Sequence, residues 1–571
     1  MSAESRLRVV LCWHMHQPAY QDLDSGCYQL PWTYLHAMKD YVDMAAILEE
    51  NPAARAVVNF APILLDQIED YGAQVSAHLQ EGTALRDPLL AALGSDCFPH
   101  EPGARHNLIK ACLRANEERL IKRFPAYQRL ANIAAALLED SAGALYLDDQ
   151  YLSDILTWYH LAWLGETVRR GDDRVRQLMD KASLYTLEDR RQLLAVIGGL
   201  LETVLGRYRK LAQDGRVELS MTPYAHPMLP LMLDFRCACE AICDIVLPGC
   251  LAYPGGEERA HWHIREGLAC FRRHFGFEPR GCWPAEGGVS QDLVALLGEY
   301  GFNWVASGET VLRNSLAHSE VHIDQPMEEK LHRAYQVASD GPACFFRDDG
   351  LSDLIGFTYA NWHADDAVSN LIHHLENIAD CCQDDDQRVV SIILDGENAW
   401  ETYPENGYHF LTGLYQRLAE HPCLELTTFA DCLQQGLELG KLPRLTAGSW
   451  VYGTFSTWIG DPDKNRGWDM LCEAKRACDK VIGSGRLAEE QLQQVLLQLA
   501  ICEGSDWFWW FGDYNPADTV SDFERLYRLH LANLYRFLGE AVPENLSEVL
   551  SEGGGVPQMG GVMRPGQAEA G

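Results

Sequence analysis

The chain has 571 residues, 47% of them hydrophobic, enough material for a large core and for more than one domain. Its 82 acidic against 47 basic side chains give a formal net charge of -35, which a phosphate backbone or an anionic membrane surface would repel, so neither nucleic acid nor a membrane is expected as a partner. The 18 cysteines are scattered and form no CxxC pair, which argues against a zinc ribbon or a redox motif.

The first residues, MSAESRLRVVLCW, lack a long apolar core and a small-residue cleavage site. No window approaches the roughly 20 apolar residues of a membrane span, so a cytoplasmic protein with reduced thiols is expected. Short apolar runs then recur, each followed by turn residues and a helical pattern: RVVLCW, AVVNF from Ala56, RVELS from Arg216 and GCW from Gly281. NWVAS from Asn303, ACFF from Ala343, VVSIIL from Val389 and LELTTF from Leu424 continue the alternation. Strands alternating with helices imply a parallel sheet, and continuous rather than alternating apolar runs imply strands buried on both faces. Seven or so such units predict a closed or nearly closed α/β barrel, with a doubly wound open sheet as the alternative.

The barrel is expected to begin in 1–84, to be interrupted by a helical insertion over 85–214, and to resume over 215–442 with the chemistry-bearing residues. Within the insertion, Thr186 is suited to cap a helix whose first turn holds Glu188 and Asp189, and Asp214-Gly215 to end it. Residues 443–550 read as a helical domain, and the glycine-rich stretch 551–571, SEGGGVPQMGGVMRPGQAEAG, as a disordered tail.

The unusual residues fall where the strands end, which is where a parallel barrel places its active site. Strand one runs into His14, His16 and Gln17; strand three carries Glu218 and leads to His226; strand four ends at Trp283 and Glu286; VVSIIL delivers Asp395 and Glu397. Hydrolysis of a glycoside with retention needs two carboxyl groups about 5 Å apart, one to attack and one to shuttle the proton. Glu286 and Asp395 can form that pair, each in a glycine- or small-residue-rich turn, GCWPAEGG and LDGENAW, with a tryptophan beside it. One isolated carboxylate after a strand is more often a helix cap; two with flanking tryptophans point to catalysis. Trp283, Trp400, Trp458, Trp468 and the run Trp507-Phe508-Trp509-Trp510 offer flat faces for sugar rings, although most tryptophans of a large enzyme serve the core.

Five motifs in this order, HMHQP from His14, GRVELS from Gly215, GCWPAE from Gly281, IILDGENAW from Ile392 and FSTWIGDPDKNRGW from Phe455, resemble glycoside hydrolase family 57. The resemblance implies an incomplete (β/α)7 barrel with a helical insertion and a C-terminal helical domain, and a retaining enzyme acting on α-glucans. It implies Glu286 as nucleophile and Asp395 as acid/base, with His14, His16, Gln17, Glu218, His226, Trp283, Trp458 and Asp461 lining the substrate subsites. LDGENAWETYPENG and EGSDWFWWFGD are most similar to the α-amylase and amylopullulanase branch, so hydrolysis of an α-glucan or maltooligosaccharide is expected, with no cofactor and no metal.

Three alternatives stand beside it. A 4-α-glucanotransferase or branching enzyme would use the same site with a sugar acceptor. His14 and His16, on one side of a strand, suit a zinc mannosidase or polysaccharide deacetylase, but the pair lacks a second clear His/Asp cluster. His261 and His263 do not share a helix face and read as structural. A non-catalytic glucan-binding protein is disfavoured by the presence of both Glu286 and Asp395.

Overall fold

The computed structural model describes residues 6–137, 141–319, 327–337, 341–381, 387–555 and 563–566. Its strands are β1 Leu7–Met15, β2 Ala56–Phe60, β3 Val217–Met221, β4 Gly281–Cys282, β5 Trp304–Gly308, β6 Tyr335–Gln336, β7 Ala343–Arg347, β8 Val389–Asp395, β9 Leu424–Thr427 and β10 Gly440–Lys441. β1, β2, β3, β4, β5, β7 and β8 pair in parallel in that order, and β8 pairs back with β1. The result is a seven-stranded barrel, as the alternation of apolar runs predicts, and not an open doubly wound sheet. Closure is thin between β7 and β8, where Arg347 opposite Ser391 is the register pair.

Two details differ from the sequence reading. LELTTF, counted among the barrel strands, becomes β9, which pairs with Leu7–Val10 of β1 outside the ring. The two-residue strands β6 and β10, which are too short to leave a periodic signal, extend the sheet beside β7.

The strands show no polar face because both faces are covered, yet the period of two still divides them. Val9, Leu11, Trp13 and Met15 of β1 join the cluster under the helices. Val10 and Cys12 join a second cluster with Val57, Trp304, Phe345 and Ile393, the barrel interior. Continuing the inward parity to the C-terminal ends of the strands brings His14 on β1, Asn59 on β2, Arg347 on β7 and Asp395 on β8 to the barrel mouth.

Between β2 and β3 the described residues form helices without a strand, ending in the 27-residue helix Leu187–Gln213. Thr186 and Asp189 close its N-terminus with a reciprocal capping box, and Asp214 caps its C-terminus. The helices Pro462–Gly483, Glu489–Cys502, Asp506–Trp510 and Ala517–Phe537 follow the barrel. A buried cluster docks them: the Glu503 carboxylate accepts from Arg259, Tyr253 and His263, all on or beside the barrel helix Gly256–Phe275. No helix among the described residues is long and apolar enough to cross a membrane.

The tail expected to be disordered is in part placed. Gly512 N–H donates to Ser551 Oγ, and the amides of Gly554 and Gly555 donate to the Asn515 carbonyl. Residues 563–566 lie at the barrel mouth. Residues 556–562 and 567–571 are outside the described residues.

Candidate active site

A cleft of about 650 Å³ opens at the barrel mouth, lined by His14, His16, Gln17, His226, Glu286 and Asp395. The helical segment after β10 forms its far wall, with Trp450, Asp506, Trp509 and Trp510 facing the strand ends. His14 and Asp395 are register partners on β1 and β8. The turn after Asp395 stays close to β1 because Gly396 N–H donates to the His14 carbonyl at 2.6 Å. A Cβ on Gly396 would stand 2.2 Å from Met15 Sδ and 3.3 Å from the His14 carbonyl oxygen, so a side chain there would make the Met15 thioether move.

Glu286 follows β4 in a left-handed turn, with φ 58° and ψ 25°. A non-glycine residue there costs on the order of 1–3 kcal/mol and persists only where surrounding contacts impose it. Two contacts do so. Trp450 N–H donates to the Glu286 carbonyl at 3.0 Å, and Ser307 Oγ donates to the Gly287 carbonyl at 2.6 Å. The Trp450 indole N–H also donates to Glu286 Oε2 at 3.1 Å.

Burial pushes the Glu286 carboxyl well above the usual range, and the Asp395 and Asp506 charges push the same way against the Trp450 hydrogen bond. Burial raises Asp395 to about 6, opposed by the Asn398 amide, His16 and Arg347. The Asp395 charge disfavours ionisation of Glu286, so the two carboxyls do not lose their protons independently.

A third carboxyl, Glu397, is 2% exposed and accepts from Gln17 Nε2 at 3.3 Å and from the His16 amide at 3.4 Å. Its Oε2 has no protein partner, and burial with the Asp395 and Asp40 charges holds its pKa well above the carboxylate range.

The histidines form a directed chain. Asn59 Nδ2 donates to Ser220 Oγ and Asn59 Oδ1 accepts from Thr222 Oγ1, so it is Oδ1 that meets His14 Nδ1 at 2.7 Å. That fixes the proton on His14 Nδ1 and leaves Nε2 to accept from His226 Nε2–H at 3.0 Å, while His226 Nδ1 accepts from the Ser505 hydroxyl at 2.8 Å. Burial lowers His14 to about 3 and His226 well below its ordinary value, so both rings are neutral. His16 Nε2 contacts both oxygens of Asp506, at 2.8 and 3.0 Å.

His16, His226 and Asp506 hold metal-type donor atoms within 4.8 Å of one another. Hydrogen bonds engage His16 Nε2 and both ring nitrogens of His226, whereas His16 Nδ1 has no protein partner. Asp66, Cys270 and His274 form a second such group, in which Arg273 already pairs with Asp66.

Residues 10–441 match the sequence family described as Glycosyl hydrolase family 57. The chain belongs to glycosyl hydrolase family 57. Family 57 structures share its fold at low identity. A branching enzyme of the hyperthermophilic archaeon Thermococcus kodakaraensis is 15% identical with a TM-score of 0.54, over 99% of this chain and 97% of that one. The α-amylase AmyC of Thermotoga maritima is 14% identical with a TM-score of 0.55, over 95% of both chains. A 4-α-glucanotransferase of Thermococcus litoralis is 14% identical with a TM-score of 0.51, over 93% of this chain and 60% of that one. No curated protein matches in sequence.

In this family 57 chain, four residues expected to contact substrate lie elsewhere. Glu218 has the inward parity but sits at the N-terminal end of β3, where its carboxylate accepts from Trp304 Nε1 at 2.7 Å and from the Ala430 amide at 2.9 Å. The second of those bonds caps the helix Phe429–Gln434. Trp283 is fully buried behind the cleft, edge-on to Trp450 at 5.3 Å. Trp458 is fully buried behind Trp509, at 5.8 Å. Asp461 caps the helix Pro462–Gly483. None of the four lines the cleft.

Of the aromatic run, Trp507 and Phe508 serve the core and Trp509 and Trp510 reach the cleft. Sequence reasoning passed over Trp450, Arg347 and Arg564. Arg347 extends the inward parity of ACFF by one polar residue, a readable signal. Trp450 and Arg564 follow no strand and carry none.

Proposed function

We propose that this enzyme cleaves α-glucans with retention of configuration, Glu286 acting as nucleophile and Asp395 as general acid/base. The observation that carries the reading is the placement of two carboxyls, half-buried Glu286 after β4 and buried Asp395 at the end of β8, in one cleft walled by tryptophans, where the Asp395 charge adds to burial in raising the proton affinity of Glu286. A retaining glycosidase needs one ionised and one protonated carboxyl at once.

In the first step Asp395 gives its proton to the glycosidic oxygen as that bond breaks, while a Glu286 oxygen bonds to the anomeric carbon. Asp395, now ionised, takes a proton from water, whose oxygen displaces Glu286 and restores both groups. The step requires the proton on Asp395, with Glu286 ionised, at the moment of attack. The Trp450 N–H, which prefers an ionised acceptor, helps to move it there. Trp32, Trp450 and Trp510 offer faces for pyranose rings, and Gln17 and His14 offer polar atoms for hydroxyls.

Transfer to a second glucan is the competing outcome, supported by an aromatic wall that favours a sugar acceptor over water. Products of maltoheptaose and pullulan, followed by chromatography with the wild type and with Glu286→Ala, test both. Shorter maltooligosaccharides from the wild type alone support hydrolysis, and longer ones support transfer. Loss of neither activity in Glu286→Ala sinks the assignment of the nucleophile.

A further inference from the structure

The reaction steps above make no use of the C-terminal segment, yet Met563 and Arg564 line the cleft beside Glu286 and Asp395, and the Arg564 charge acts to lower the Glu286 pKa. The Arg564 guanidinium lies 4.6 Å from the Trp509 ring centroid and 4.7 Å from that of Tyr514. Its Nη1 donates to Thr457 Oγ1 and its Nη2 to Asn515 Oδ1, each at 3.3 Å. Two residues on, Gly566 N–H donates to Asp353 Oδ2 at 3.0 Å, and the Gly566 carbonyl accepts from Tyr452 N–H at 3.0 Å.

The slot for Gly566 admits no side chain. A Cβ there would stand 2.5 Å from Asp349 Cγ and 2.8 Å from Arg347 Nη1. Neither neighbour is free to yield, because Arg347 is pinned by Asp349 and Asp353 at 2.7 Å each and by the Ile393 carbonyl at 2.8 Å. Three independent contacts, one cation over aromatic rings and two backbone hydrogen bonds, therefore seat this segment in the cleft wall against Trp509 and Tyr514.

A guanidinium stacked on an indole covers the flat apolar face that a pyranose ring would use. We propose that residues 563–566 form an end wall of the substrate cleft, with Arg564 a specificity-determining residue that covers the Trp509 platform and limits how long a glucan the site engages. The inference rests on the glucan reading above. Unseating the segment uncovers one further aromatic platform.

The test compares the full-length wild type with Gly566→Val, which blocks the slot, and Arg564→Ala, which leaves the slot intact and removes the cation. The readouts are hydrogen exchange at the Tyr452 amide and the ratio of kcat/KM on amylose to kcat/KM on maltotetraose. Gly566→Val is expected to speed exchange at Tyr452, and both variants to raise the ratio about ten-fold, the worth of one aromatic contact. Unchanged exchange at Tyr452 in Gly566→Val overturns the seating of the segment. An unchanged ratio in both variants overturns its role in chain length. A wild type inert on every α-glucan overturns the functional reading and the glucan limit together, while the Tyr452 exchange still decides the seating alone.

Discussion

Trp450 holds Glu286 twice, by a backbone N–H on the Glu286 carbonyl at 3.0 Å and by its indole N–H on Oε2 at 3.1 Å. The first bond fixes the left-handed turn and the second stabilises the carboxylate. Trp450→Phe keeps the first and removes the second. A hydrogen bond to a charged group contributes about 1.5–3 kcal/mol, so kcat should fall about ten- to a hundred-fold with the fold intact by circular dichroism. A variant with wild-type kcat would show that Glu286 needs no help to ionise.

The carboxyl pair sets the pH dependence. Burial raises Asp395 to about 6, and burial with the Asp395 charge raises Glu286 well above its ordinary value, so the pair ionises in two steps, one of them near pH 6. Only the singly protonated pair is competent. Activity should rise through pH 6 and fall at the upper ionisation, giving a bell. Asp395→Asn should lower kcat on polymer by about 10²–10⁴-fold, the usual worth of a general acid, and abolish the limb near pH 6. A kcat profile of Asp395→Asn that keeps that limb would assign it to another group.

The barrel is legible because buried parallel strands leave short apolar runs, and the residues ending those runs are polar where a core would be apolar. His14, Glu286 and Asp395 stand out for that reason. Glu218 shows the limit of the argument: parity gives the face of a strand but not the level along it, so a helix-capping carboxylate at the barrel floor looks like one at the mouth. Trp450 lies 164 residues from Glu286 in sequence, and only the folded chain brings them together. The glycine-rich tail looks disordered by composition, yet Gly566 is held because a slot without room for Cβ favours the residue that composition reads as a mark of disorder.

Glu397 is a buried acid whose Oε2 is without a protein partner in the cleft. Burial and the Asp395 and Asp40 charges favour its protonated form, which can donate a hydrogen bond to a sugar hydroxyl as well as accept from Gln17. Glu397→Gln preserves a donor and an acceptor and should leave KM within about three-fold. Glu397→Leu loses both and should raise KM by about ten- to a hundred-fold, the worth of a hydrogen bond to a buried group. Equal KM values for the two variants would remove Glu397 from substrate binding.

Stability rests in part on Glu503, fully buried between Arg259, His263 and Tyr253. Burial would raise its pKa, but Arg259 and His263 hold the carboxyl down from 4.5 to about 2. The unfolded chain binds the proton first, so the ion pair's contribution is complete above about pH 4.5 and fades as pH falls towards 2. Glu503→Gln strands the Arg259 guanidinium, and breaking one side of a buried pair costs about 3–5 kcal/mol. Thermal unfolding should show a large deficit at pH 7 that narrows between pH 4.5 and 2, where the wild type loses the same interaction. A deficit independent of pH across that window would mean that Glu503 acts by packing rather than by charge.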